Sequence, residues 1–387
     1  MSQQVVVDIR TRFLRDDQRC YILFPGNGYR YYSYMRDNEV VFLDLPGFPW
    51  EKGEDLRTIP DLVERIVVSE RIQDWHRKDR PSNDLPIRDP SKLTDFRRTA
   101  ARQQFAGLVR GFFTTISAGD IIIVPAPGYE DDMLFGEIVG DGDPVWSKLP
   151  GYPDEKVPGR QVKWIARVPR GQVPPWLERK IPSPNPLRQV EQSYFSDIFD
   201  IMYERYYFDG NFACKFNVKS ADFSSLDNFL FQQIVLYAAA LHENRQEDNI
   251  KDIAKRAISV VVSELDFSQD IPDQRISINS PGHIVVYSKN IIPIIAGVFM
   301  ALAVLTSTTS KISADDVVIE NSVDRSQISQ ECISDVKQEV VDDLKAMGYQ
   351  RWQELCTIEA QARKRTQISS GMDARSTGVA PKQDRVH

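Results

Sequence analysis

Cysteine and histidine are both scarce, four of each in 387 residues. Cys20, Cys214, Cys332 and Cys356 form no CxxC pair and have no histidine at ligand spacing. That scatter excludes a disulfide framework and a readable zinc site, and it fits a reducing cytosol. His76, His242 and His283 stand alone, so nothing points to a nucleophilic triad. Net positive charge is missing as well: the balance is −7, which argues against a surface coated all over by nucleic acid. The opening MSQQVVVDIRTRF reaches charged residues too early for a signal peptide. Pro25-Gly26-Asn27-Gly28-Tyr29 lacks the Lys-Ser/Thr and the helix of a phosphate-binding loop. No internal repeat is present.

What the chain does hold is length and ordinary globular composition, with 42% apolar and 27% charged residues. That is enough for about two domains and a tail. The charge is uneven. Residues 1–190 carry 28 Lys+Arg against 27 Asp+Glu, and the remainder carries 20 against 28, so an anionic partner is expected on the first half. One uncharged stretch, Asn290–Ser310, is flanked by Lys289 and Lys311. About twenty such residues span a bilayer, yet the densely apolar part, Ile291–Leu305, is shorter and also suits a buried core helix. Both readings remain open from sequence.

Periodicity gives the elements. Strands are expected at Val5–Leu14, Tyr21–Phe24, Val40–Leu45, Ile121–Val124, Met133–Val139 and Gln161–Val168. Helices are expected at Asp55–Trp75 and about Ser91–Phe113. Proline-bearing residues Pro169–Pro186 read as a boundary. Beyond it come a short helix (Tyr194–Tyr206), a strand (Phe212–Val218) and long helices from Ser224 to Glu243 and Asp248 to Leu265. Strands at Arg275–Asn279 and Ile284–Tyr287 follow, then the apolar segment and an amphipathic helical stretch, Ile328–Lys364, interrupted near Gly348. The expected class is α+β. Its parts are 1–188, a smaller α+β domain at 189–312 suited to a partner or to self-association, a helical extension at 313–365, and a disordered tail at 366–387.

The run Ala101-Arg102-Gln103-Gln104-Phe105, then Ser117-Ala118-Gly119-Asp120-Ile121-Ile122-Ile123-Val124, Phe135-Gly136-Glu137-Ile138-Val139-Gly140 and Gln161-Val162-Lys163-Trp164-Ile165 resembles the N-terminal domain of Mrr-like restriction endonucleases. That domain is similar to the EVE/PUA-like small barrels that read modified or flipped bases. The resemblance covers roughly the first half. It implies a β-barrel with flanking helices, DNA as partner and a place in an antiviral or restriction-like system. The nuclease's Asp and Glu/Gln-x-Lys pair on adjacent strands has no counterpart in the second half. Glu178-Arg179-Lys180 is the nearest match and reads as a charged surface turn.

A base reader needs aromatic walls, polar atoms for the base edge and cations for the backbone. Candidates for the pocket are Tyr29, Tyr32, Asp44, Trp50 and Trp164, with Asp44 accepting from an exocyclic amine. Candidates for the phosphates are Arg97, Arg98, Arg102 and Arg110 on one helix, and Lys163 and Arg167, which strand alternation puts on one side. Each has a plainer alternative as core packing or solvated surface. The expectation is a recognition component without cofactor or metal and more a binder than an enzyme. The alternative is a membrane-inserting defence effector using 290–310.

Overall fold

The computed structural model describes residues 4–51, 53–78, 85–140, 144–181, 185–220, 222–244, 253, 255–264, 272–277, 282–306, 314–323 and 327–377. In chain order the elements are β1 (Gln4–Asp8), β2 (Arg12–Phe13), β3 (Cys20–Leu23), α1 (Tyr32–Asn38), β4 (Val40–Phe42), α2 (Leu62–Arg77), α3 (Ala100–Thr114) and β5 (Ile121–Val124). Then follow β6 (Asp132–Ile138), β7 (Val145–Ser147), β8 (Val157–Pro169), α4 (Pro175–Lys180), β9 (Leu187–Gln189), α5 (Phe195–Met202), β10 (Arg205–Phe208) and β11 (Asn211–Val218). The last are α6 (Ser225–Glu243), α7 (Ile258–Ser263), β12 (Asp273–Ser277), β13 (Gly282–Ser288), α8 (Ile292–Thr306), β14 (Val317–Glu320), α9 (Gln327–Thr366) and β15 (Asp373–Thr377). The class is mixed α+β with a curled, half-barrel sheet.

Two compact units result: Asp17–Met202, and Met1–Asp16 joined with Tyr203–His387. The division departs from the 188/189 boundary expected from sequence. The first strand explains why. Val5, Val6 and Val7 pair in parallel with Val317, Val318 and Ile319 and antiparallel with β15, while β2 pairs with β10. Val5–Leu14 is therefore not one strand; Arg10, at φ 46°, breaks it.

In Asp17–Met202 the strand order is β4-β8-β6-β5-β3-β9, with β7 also on β8. Its centre is β5, Ile-Ile-Ile-Val, buried at every position. The preceding Ser117–Asp120 phrase has a structural task. Asp120 is buried and accepts from the Ser117 N–H at 2.9 Å and the Arg19 N–H at 3.0 Å, while Gly119 takes φ +86° in the turn. A buried carboxylate spent on backbone donors sets the start of β5 beside β3. Arg160, 1% exposed, plays the matching part at the end of α3. Its guanidinium donates to the carbonyls of Phe112 (3.1 Å), Ile116 (2.8 Å) and Gly140 (2.8 Å). Helix α3 starts at Ala100, with the Thr99 hydroxyl accepting from the Arg102 N–H, later than the expected Ser91 because residues 93–99 form no helix.

The other unit has a five-stranded sheet, β12-β13-β11-β10-β2, and a three-stranded one, β14-β1-β15. Helix α8 lies in its core against α6, α9 and β11. Its fifteen residues reach about 22 Å, against about 30 Å of bilayer hydrocarbon. Among the described residues no helix is long and apolar enough to cross a membrane. Residues 307–310, the end of the uncharged stretch, lie outside the described residues, as do 248–252, 254 and 265 of the helix expected at Asp248–Leu265, of which α7 forms Ile258–Ser263. Helix α6 opens with a capping box between Ser224 and Asp227, and α9 runs without a break past Gly348. Residues 366–387, expected to be disordered, include β15; five backbone partners on β1 hold it in register. Residues 378–387 lie outside the described residues. Burial pushes the Cys214 thiol up to about 12, which keeps it protonated and unreactive.

Candidate functional site

The site grows from the end of β4. Val40–Phe42 is buried, and the chain leaves the sheet at Leu43-Asp44-Leu45, bringing Asp44 to the surface of a hollow. Gln73 of α2 donates its amide to the Asp44 carbonyl, and Tyr31 donates its hydroxyl to Asp44 Oδ1 at 3.0 Å. Arg30 forms an ion pair with Oδ2, and the Tyr152 hydroxyl lies 3.5 Å from the same oxygen. Burial first, and then the Asp44 charge, push the Tyr31 phenol far above its usual range; Tyr31 is thus a fixed proton donor to the carboxylate. A carboxylate offers about four lone-pair sites, and these partners leave room for one more donor. Its side chain is 19% exposed.

Two hollows meet along this cluster, sharing Arg30, Tyr31 and Arg77. One, of about 260 Å³, holds Asp44, with Phe24, Phe105 and Gln73 in its walls. The other, of about 490 Å³, is lined by Tyr34, Asn38, His76 and Tyr152. Behind them His76 packs edge-on against Tyr152, with rings 5.2 Å apart. Its Nε2 stands 4.0 Å from Glu155, which Arg88 grips from outside. Gly47 permits this packing. It sits at φ +61°, where a Cβ would meet Ile72 at 2.6 Å and Glu155 at 2.7 Å.

Of the pocket residues expected from sequence, only Asp44 lines these hollows. Tyr29 lies near Arg170, whose Nη1 is 3.5 Å from its hydroxyl. Tyr32 is buried and donates to the Asp132 carbonyl. Trp164 donates to the Met35 carbonyl at 3.3 Å. Trp50 sits in a separate cleft, its Nε1 donating to the Glu54 carbonyl at 3.1 Å. Tyr31 precedes α1 and Tyr32 and Tyr34 lie on it, so Tyr31 and Tyr34 reach the hollows while Tyr32 turns into the core.

The cations part company in the same way. Arg98 pairs with Glu64, and Arg102 with Glu70 at 2.7 Å. Arg110 donates to the Leu56 carbonyl at 3.1 Å. Arg97, Lys163 and Arg167 are exposed. Lys163 and Arg167 do not share a face. The register slips between Phe135 and Gly136, so Lys163 opposes Glu137 and Arg167 opposes Leu134. Those partners are three apart on one strand and point to opposite sides. Sequence reasoning overlooked Arg30, Gln73, Arg77, Phe105 and Tyr152 as site residues. Glu178 is on helix α4, not a strand, and Arg170 holds its carboxylate at 2.9 Å. Among the described residues no three His, Cys, Asp or Glu side chains gather as a metal site would require.

A comparison of the chain with protein-family models, with curated proteins and with solved structures finds no match.

Proposed function

We propose that residues 17–202 are a nucleic-acid recognition module of the EVE/PUA-like kind, taking one base into the Asp44 hollow. One observation carries the reading: a partly exposed carboxylate with acceptor capacity left, in a hollow whose walls also hold the half-buried rings of Phe24 and Phe105 and the guanidinium groups of Arg30 and Arg77. At about 260 Å³ the hollow is smaller than the ~300–1,000 Å³ typical of drug-sized ligands and suits a single planar heterocycle. A carboxylate accepts from an exocyclic amine, so adenine or cytosine fits better than thymine. Bases read in this way are single-stranded or flipped out. DNA in a defence setting is the partner the first-half resemblance favours, and the second unit would couple recognition to a protein partner or another copy.

Backbone affinity is modest on this account, because Arg98 and Arg102 are already paired. The test is fluorescence anisotropy of the full chain with labelled single strands and base-modified duplexes at two salt concentrations. Binding with a salt exponent of about two to three supports the module. Arg77→Ala should weaken every sequence alike and lower that exponent by about one. No binding to any strand at low salt would overturn the reading.

A further inference from the structure

The cleft that holds Trp50 has a different chemistry from the Asp44 hollow. It measures about 680 Å³ and its walls include Trp50, Trp146 and Phe113. The rings stand steeply to one another: Trp50 meets Phe113 at 75° with centroids 4.7 Å apart, and Trp146 at 66° with centroids 6.4 Å apart. Phe113 is buried and braces Trp50, while Trp146 is 38% exposed at the mouth. Among the described residues the rim carries more acid than base. Glu51, Glu54 and Asp55 line it against a single described guanidinium, Arg57. Arg57 pairs with Asp55 at 2.9 Å, and Glu54 is held by Arg65 at 2.6 Å, so of the three carboxylates Glu51 stands outside both pairs.

Ring faces carry negative potential and attract cations lying within about 6 Å of the centroid. Two indole centroids 6.4 Å apart allow one cation to satisfy both. The Glu51 carboxylate, outside the two arginine pairs, adds attraction for a cation. From this we infer that the Trp50–Trp146 cleft binds a quaternary, fully methylated ammonium group, a cation whose charge is spread over apolar methyls and that needs no hydrogen-bond acceptor. Ring faces suit such an ion because it is weakly hydrated, whereas a bare ammonium would give up strong water bonds to enter. The site is independent of the Asp44 hollow and stands or falls separately.

The probe is tetramethylammonium chloride, titrated into the full chain by calorimetry. The controls are sodium chloride at equal ionic strength and neopentyl alcohol, an uncharged molecule with the same branched core and one added hydroxyl. Saturable binding of the cation, at least tenfold tighter than the alcohol, is expected. Trp146→Ala should weaken it roughly tenfold, and Trp146→Phe should restore part of the loss. Since Trp146 is partly exposed, the variant's unchanged thermal midpoint verifies that the fold is intact. Choline and a trimethyllysine peptide then distinguish a small-molecule or lipid headgroup from a modified protein tail as the source. Equal binding of the alcohol, an effect of Trp146→Ala no greater than that of a distant surface change, or no saturation by tetramethylammonium would each overturn the inference.

Discussion

Replacing Arg160 by methionine tests how the first unit is held together. Arg160 is buried and donates to three carbonyls, two of them at the end of α3 and one at Gly140 beyond β6. Helix ends leave carbonyls without intrahelical partners, and a cation there also answers the helix dipole. Methionine keeps much of the stem's packing but leaves the carbonyls dry. Each buried orphan acceptor costs about 1–3 kcal/mol. Relief from burying the guanidinium offsets part of that sum, so a net loss of about 3–5 kcal/mol is expected. With a urea slope of about 2 kcal/mol/M, the midpoint should fall by about 2 M. Tryptophan fluorescence isolates the right unit, because Trp50, Trp75, Trp146, Trp164 and Trp176 all lie in residues 17–202 and only Trp352 lies outside. Arg160→Lys should fall between wild type and Arg160→Met, since one ammonium cannot span all three acceptors. A midpoint shift below about 0.5 M for Arg160→Met would refute this account of the clamp.

Other expectations concern the second unit. Ser224→Ala removes the hydroxyl of the α6 capping box and should cost about 1 kcal/mol, read by urea denaturation followed through a reporter on that unit. Glu359 is buried beside Arg363, 3.2 Å away, and burial raises its carboxyl above the usual range. The native chain then binds the proton more tightly than the unfolded chain does. Its contribution is present at pH below the unfolded value and is lost as pH rises through the folded one. Glu359→Gln should therefore raise the urea midpoint at neutral pH, with the gap closing as pH falls; a gap that widens on acidification would contradict the sign. Gly47→Ala should destabilise the first unit by about 2 kcal/mol, from positive φ and from the Ile72 and Glu155 contacts. Thermal melting measures it.

Much of the architecture was legible because short-range signals and burial agree. Ile121–Val124 is apolar at every position, as a central strand must be, and Ser224 with Asp227 spells a helix start. The apolar Ile291–Leu305 run proved to be the core of helix α8. Long-range pairing was not legible. Nothing in Val5–Val7 says that its partners lie more than 300 residues away, nor that Asp373–Thr377, polar and near the end of the chain, completes the same sheet. The site was legible only at Asp44. Its companions come from the turn before α1, from α2, from α3 and from the loop carrying Tyr152, and their convergence depends on tertiary packing. Alternation failed at Lys163 and Arg167 for a local reason, the bulge opposite Gly136. Arg98 and Arg102 look like a phosphate track in sequence because their carboxylate partners, Glu64 and Glu70, sit on α2 some thirty residues earlier.

The most direct measurement is the affinity of the Asp44→Asn chain for single strands of cytosine and of thymine, beside wild type. The variant keeps the side chain's shape but replaces one acceptor oxygen with an amide donor. Wild type should prefer cytosine, and Asp44→Asn should lose about tenfold on cytosine while leaving thymine nearly unchanged, the size of one hydrogen bond to a charged group. Equal affinity of both proteins for both strands would contradict the claim that Asp44 reads a base.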